Sequence, residues 1–561
     1  MPPSFTVNKL ILGILILATL MLISYNRVLT SGFVWDDERC VIKNDNLKTH
    51  DGLARIWFKP DATDQYYPLT STVFWTGYQL WGLNPLGYHL TNLFLHLINA
   101  ILVWLILGRL SVRGGFLAAL IFAVHPVHVE SVAWVTELKN VLSVTFYLLS
   151  LWMYFRFFDD HRWTSYALAL LLFIGALLSK TVVCTLPVAL LIILWWKKGR
   201  LDRHDILSVL PFFVIGGGFG LFTAWFEKAT VGAKGAYWDL SFLERSLIAA
   251  RALWFYPAQL LWPVDLKFFY PRWIIHAHKF STYLPLAGFM GLGLWIGLCR
   301  PKIPRGVIAA LLFFVITIFP ALGFFNIYFM RYSFVADHFQ YLASLGLIVL
   351  AAYTIVSVSA KINKQIAYGL QGVLVFSLMM LTFAQTAIYK DEISIYTHIL
   401  KDNPFSELAY NNRGVAYEAQ QQYDLALADY KKALEIDPQF IEAYNNRALV
   451  YEQLGQYDLA IADYNKILKM KPIYEVHYNR GNVYVKLGQD DLAIIDYTQA
   501  IHLNNRAFDA YNNRAAIYGR HGQYELAIAD YTRALDLRPD PLVFRNRQLV
   551  YQLMQESLGE K

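Results

Sequence analysis

Residues 367–388 read AYGLQGVLVFSLMMLTFAQTAI, and residues 410–426 read YNNRGVAYEAQQQYDLA. The first stretch carries no charge over a length that crosses a bilayer's hydrocarbon core, for which about 20 apolar residues are needed. The second is polar, rich in tyrosine and asparagine, and returns with small changes every 33 or 34 residues. The character of the chain therefore changes near Lys390, and two domains are expected, 1–390 and 391–561.

Working back from that join, apolar runs recur to the start of the chain. Of 561 residues, 56% are hydrophobic and 16% charged, against about 25% charged in soluble domains. Spans are read near 8–27, 88–108, 114–133, 141–158, 165–181, 183–197, 207–226, 283–299, 305–323, 341–358 and 367–388, about 11 in all. The first is read as a retained signal anchor, since Ser24-Tyr25-Asn26-Arg27 offers no small-residue cleavage site. Lysine and arginine collect on the cytoplasmic side of membrane proteins. With the N-terminus inside, the basic loops Arg109–Arg113, Arg156–Arg162, Lys197–Arg203, Arg300–Arg305 and Lys361–Lys364 all fall inside. The apolar stretch 246–264 would break that count as a crossing. Its Trp254, Tyr256 and Trp262 suit a re-entrant or interface-lying helix on the outer face. The C-terminal domain then lies outside, in periplasm or ER lumen.

Working forward, Asn412-Arg413, Asn446-Arg447, Asn479-Arg480 and Asn513-Arg514 recur at intervals of 34, 33 and 34 residues. Second-helix openings keep phase at Gln422-Tyr423-Asp424-Leu425-Ala426 and its three later copies, and Pro438, Pro472 and Pro539 close repeats. This period is that of tetratricopeptide (TPR) helix–turn–helix units, four or five of them, stacked as an α-solenoid. The whole chain is thus expected to be all-α. Asn411, Asn412, Asn445, Asn446, Asn479, Asn512 and Asn513 sit on first helices, which line the groove of such arrays, and are candidates for holding an extended acceptor peptide. The neighbouring tyrosines read equally as packing residues.

Candidate chemistry sits at the outer ends of spans, because ionisable groups near a bilayer are costly to keep without a use. The first outer loop opens Phe33-Val34-Trp35-Asp36-Asp37-Glu38-Arg39. Acids there suit a general base or a cation site, or simply a solvated turn paired with Arg39. The second reads His125-Pro126-Val127-His128-Val129-Glu130, then Glu137-Leu138-Lys139-Asn140. His125, His128 and Glu130 are zinc-type ligands, although Pro126 disfavours a two-histidine helical face and no cysteine or further outer histidine cluster completes a site, so a metal site is the least favoured reading here. Interface capping and contact with a substrate phosphate are the other readings of this segment. Lys180, and Arg331 with Tyr332, offer cations that either snorkel or meet a lipid phosphate. Cys40, Cys184 and Cys299 are scattered and form no framework. The modest charge of +7 lies in loop clusters, so no nucleic-acid partner is expected. No Walker loop or dinucleotide fingerprint occurs.

An acidic pair directly after the first of about 11 helices is similar to the GT-C glycosyltransferases. More closely, the chain resembles the transmembrane-and-TPR protein O-mannosyltransferases and their bacterial relatives. The resemblance rests on Trp35-Asp36-Asp37 with Asn44-Asp45-Asn46-Leu47, on His125 to Glu130, on Glu137 to Asn140, and on Leu178-Ser179-Lys180. Leu261-Trp262-Pro263, Ala336-Asp337-His338-Phe339-Gln340-Tyr341-Leu342 and the TPR tail extend it over nearly the whole chain. It implies an inverting, metal-independent transfer of a sugar from a polyprenyl-phosphate carrier to Ser or Thr hydroxyls of proteins on the outer face. No cofactor is implied, and the repeats would present the acceptor. One of Asp36 and Asp37 would be the base. His125, His128, Glu130, Lys139, Lys180 and Arg331 would face the donor phosphate and lipid. Two departures stand out: Thr181 occupies a place where many relatives have an acid, and the repeat array is shorter than in animal members. Transfer to a lipid or cell-surface glycan, and a non-catalytic membrane-anchored TPR scaffold, are the alternative readings.

Overall fold

The computed structural model describes residues 7–559 apart from 64, 234, 236, 237 and 277, and every regular element among them is helical. The chain forms two compact units, Met1–Ile399 and Leu400–Lys561.

The first unit is a multi-pass membrane domain. Among the described residues, seven helices are long and apolar enough to cross a bilayer. A further apolar pair, Gly115–Ala123 with Pro126–Ala133, is bent by 55°, as in a broken span or a re-entrant loop. The shorter apolar helices Trp163–Ser179, Arg305–Ala321 and Ser344–Ser359 bring the set onto the 11 stretches read from the sequence. Burial settles the solvent. The apolar window of Phe280–Lys302 has none of its residues buried, whereas that of Val135–Asp160 is 67% buried. A helix that is apolar all round and unburied by protein needs hydrocarbon around it.

The bend has a local cause. Pro126 has no amide hydrogen to continue the helix, and it forces the preceding residue out of the helical region. His125 is accordingly extended, at φ −83° and ψ 129°. Everything from Phe122 to Leu138 is buried, so the bent pair lies inside the bundle.

The 246–264 stretch forms helix Phe242–Leu261, which is not among the candidate spans. Its start is fixed by a capping box between Ser241 and Glu244, and Arg245 and Arg251 lie within it.

The basic loops converge at one end of the bundle. Arg109 pairs with Asp159, the Lys197 ammonium donates to the Leu110 carbonyl, and Arg305 lies against Gly199. Gly114 packs on Ala352 and Val356, near the Lys361–Lys364 turn.

The second unit contains four helix pairs: Glu407–Ala419 with Tyr423–Ile436, Ile441–Gln453 with Tyr457–Met470, Tyr474–Lys486 with Asp490–Leu503, and Phe508–Arg520 with Tyr524–Leu537. Helix Pro541–Gly559 follows. Alanines at the contact points let the paired helices approach. Ala426, Ala460, Ala493 and Ala527 are fully buried, as are Tyr430 and Tyr464. Each pair is also locked by charge. Arg413, Arg447, Arg480 and Arg514 each donate two hydrogen bonds to the aspartate sixteen residues on, Asp429, Asp463, Asp496 and Asp530, at 2.7–2.9 Å. The landmark arginines therefore stitch first helix to second. Tyr410 and Tyr417 flank Arg413, and Tyr444 and Tyr451 flank Arg447.

Candidate active site

The loop after helix Val7–Ser24 turns sharply at Trp35, whose φ of 53° puts a bulky residue in the left-handed region. Such a conformation persists only where its surroundings hold it. Phe268, Phe269 and Tyr332 meet the Trp35 ring edge-on at 5.0–5.9 Å. The turn separates the two acids. Asp37 is fully buried. One of its oxygens accepts the Val34 amide at 2.9 Å, and the other accepts the Thr136 amide at 2.8 Å and the Thr136 hydroxyl at 2.6 Å. Burial pushes its carboxyl up to about 7 despite those donors. Asp36 is only half-buried and lies in the electrostatic reach of Lys139 and Tyr332.

Beside the acids, one carboxylate gathers two lysines. Glu137, 1% exposed, lies 3.0 Å from the Lys139 ammonium and 3.3 Å from that of Lys180. The Asn140 amide donates to the same carboxylate and, at 3.0 Å, to the His338 carbonyl. His338 leads on to Glu130, which accepts its backbone amide at 2.8 Å and lies 3.0 Å from its Nδ1. Next to it, Asp337 accepts from Tyr270 at 3.0 Å and from Gln340 at 3.3 Å. Burial, reinforced by the Glu130 charge, holds the Asp337 carboxyl well above its ordinary range. Two lysine ammoniums thus converge on one buried carboxylate, with Asp36 and Glu130 also within their electrostatic reach, and such a pair of cations can meet negative charge on a phosphate.

The structure thus brings Asp36, Asp37, Lys139 and Lys180 into one neighbourhood. Arg331 joins through Tyr332, over whose ring its guanidinium lies at 5.9 Å. Glu130 is tied in through His338 and Asn140. The two histidines are placed differently. His128 is buried between the Phe122 carbonyl, at 2.8 Å, and the Ser344 hydroxyl, at 2.9 Å. His125 meets the Leu260 carbonyl at 3.1 Å and accepts the Val127 amide. Both rings are used to hold the bent pair in place. In the repeat unit, Asn411 is buried, donates to Asn412 and accepts from Asn446. Asn512 donates to Asn513, which donates to Asn482. Asn445 and Asn479 are partly exposed.

Two features escaped the sequence reading. Glu137 stood in a quoted motif, yet nothing in its spacing signalled that Lys180, 43 residues on, meets the same carboxylate. Thr136 belongs to no motif, and its grip on Asp37 crosses 99 residues.

A multi-pass membrane unit with a charged site beneath its first loop, joined to a TPR array, is a recognisable class of architecture, and comparison with known proteins agrees with it. Residues 63–225 match the family described as dolichyl-phosphate-mannose-protein mannosyltransferase. Residues 408–440, 441–474 and 508–541 match the tetratricopeptide repeat, and 481–522 a further TPR family. The protein O-mannosyl-transferase F38B6.6 of Caenorhabditis elegans is 26% identical over 451 residues, covering 76% of this chain and 63% of that protein. Human protein O-mannosyl-transferase TMTC3 is 24% identical over 469 residues, 74% of this chain and 50% of that one. Drosophila melanogaster Tmtc1 is 32% identical over 189 residues, 32% of this chain and 22% of its own. Among solved structures, YrrB, titled a TPR protein with an unusual peptide-binding site, is 25% identical over 28% of this chain and 84% of its own, with a TM-score of 0.27. The membrane unit and the repeats are thus each similar to parts of the transmembrane-and-TPR-repeat protein O-mannosyltransferases. The chain spans from about a fifth to just under two thirds of the length of these curated relatives.

Proposed function

We propose that this protein is a membrane glycosyltransferase that moves a sugar from a polyprenyl-phosphate carrier to Ser or Thr hydroxyls of proteins on the outer face of its membrane. The observation that carries the reading is the division of labour between the adjacent acids, set against the lysine pair. Asp37 spends both oxygens on Val34 and Thr136, so it positions the loop. Asp36, half-buried beside Lys139, is the acid assigned to the acceptor.

In this scheme Asp36 takes the proton of the acceptor hydroxyl as its oxygen attacks the anomeric carbon. The bond from that carbon to the lipid phosphate breaks with its electron pair on the phosphate, and configuration inverts. A hydroxyl is a weak nucleophile at neutral pH, so a positioned base accounts for about 10²–10⁴ in rate. Lys139 and Lys180, already gathered by Glu137, meet the phosphate charge as it develops, with Arg331 further out. His125 and His128, engaged with Leu260, Phe122 and Ser344, take no part in this. The sugar is taken to be a hexose of the kind named in the relatives, and the TPR array to hold the acceptor.

Membranes bearing wild type, Asp36→Asn or Asp37→Asn, supplied with a radiolabelled polyprenyl-phosphate sugar, test the reading. Label entering protein with wild type, lost with Asp36→Asn at unchanged unfolding temperature, is expected. Label in neither wild type nor variants would remove the enzyme and leave a TPR scaffold.

A further inference from the structure

At the basic end of the membrane unit a cleft of about 350 Å³ opens between five helices, Pro85–Arg109, Leu138–Asp160, Leu186–Lys198, Arg305–Ile318 and Ser344–Ser359. Its wall is apolar, formed by side chains such as Leu107, Leu151, Ile193, Phe313 and Val349. The charged residue in its lining is a cation, and two further cations stand beside lining residues. Arg113 lines the rim. The Lys197 ammonium sits on the carbonyl of Leu110, another rim residue. Arg305 lies between the rim residues Pro304 and Gly306. Its guanidinium reaches across to lie against Gly199.

We propose that this cleft binds an anionic glycerophospholipid, with one acyl chain in the apolar cleft and the headgroup phosphate on Arg113, Lys197 and Arg305. The charge pattern selects the occupant. A soluble anion would leave the apolar wall unused, and a zwitterionic or neutral lipid would leave the three cations poorly matched. Basic pockets between transmembrane helices are suited to acidic headgroups. Lys197 uses one of its three N–H donors on Leu110 and keeps two for phosphate.

The cleft is separate from the candidate active site. Asn92 holds the Val132 and Trp134 carbonyls beside that site, and Leu107 of the same helix lines the cleft. Fifteen residues of helix put about 22 Å between them, most of a hydrocarbon core about 30 Å thick. The lipid assigned here therefore comes from the leaflet opposite the one facing Asp36.

The full-length protein in phosphatidylcholine liposomes would be given trace phosphatidylglycerol or phosphatidylcholine carrying a diazirine near the acyl terminus. After illumination, labelled peptides are mapped by mass spectrometry. Labelling of segments 103–110, 306–313 and 345–353 should be about fivefold or more stronger with phosphatidylglycerol. Arg113→Gln/Arg305→Gln should remove that preference. Ala310→Phe, which fills the cleft, should remove labelling of these segments with both lipids. Equal labelling by both lipids in wild type would mean a general lipid annulus only, and would overturn the proposal without recourse to any variant. Labelling that persists in Ala310→Phe would place the chain outside the cleft and overturn it equally.

Discussion

Thr136 holds Asp37 twice, through its amide at 2.8 Å and its hydroxyl at 2.6 Å. The first loop is thereby tied to the foot of helix Leu138–Asp160. Thr136→Val keeps the amide bond and the side-chain shape but strips one donor from a buried carboxyl. A cost of about 1–3 kcal/mol is expected, seen as a lower unfolding temperature in detergent, and Thr136→Ser should restore it. An unchanged temperature in Thr136→Val would mean that this bond contributes nothing.

The same carboxyl gives stability a pH dependence. Its value is about 7 in the folded protein and 3.8 when free, so the folded state holds the proton more tightly. The stabilising contribution is fully present below about pH 3.8 and is lost as pH rises through 7. The span of about three units corresponds to about 4 kcal/mol at most. Unfolding temperature should therefore fall between pH 5 and pH 8, and Asp37→Asn should flatten that slope. A slope as steep in the variant would assign it to another group.

Glu137 and Lys180 form a buried pair in which each partner's removal has a different result. Glu137→Gln removes the carboxylate that Lys139 and Lys180 share, leaving them only the more distant Asp36 and Glu130, and should cost about 3–5 kcal/mol. Lys180→Met leaves Glu137 still paired with Lys139, so its structural cost should be smaller. Its effect on a polyprenyl-phosphate donor should be larger, as a rise in KM and a fall in kcat of at least tenfold. Thermal melts and donor titration separate the two, and equal melts for both variants would sink the distinction.

In the repeats, Arg447→Lys is not a mild change. Lysine cannot give Asp463 the paired N–H donors that the guanidinium supplies, nor lie between Tyr444 and Tyr451 as a flat plate. A loss of about 1–3 kcal/mol from the repeat unit is expected. Hydrogen exchange over 441–470 reports it, and protection equal to wild type would count against the argument.

Apolar runs and a fixed period are one-dimensional signals, which is why the spans and the helix pairs could be read in advance from stretches such as 367–388 and 410–426. The site was legible only in part. Asp36, Asp37, Lys139 and Lys180 could be singled out because ionisable groups at span ends are conspicuous. What each does depends on contacts between residues far apart in sequence. The burial of Asp37 under Thr136, and the seating of His128 on Ser344, 216 residues away, leave no mark in local spacing. The arginine–aspartate pairs are a different kind of miss. An aspartate stands sixteen residues after each landmark arginine, in plain view, and only the helix pairing gives that interval a meaning.

Two of those arginines, and Arg547 on the last helix, also reach backwards. Arg480 donates to Asn465, Arg514 to the Thr498 hydroxyl and Arg547 to the Thr532 hydroxyl, each on the second helix of the preceding pair. At the first joint the equivalent position is Lys431, itself a donor, and the ties there are between neutral amide donors and their acceptors, Asn446 to Asn411 and, at the exposed rim, Gln453 to Glu418. Pulled from its ends, the array would not yield evenly: the seam between its first two pairs would part before the rest, making it a chain of rigid links with one compliant joint at its N-terminal side.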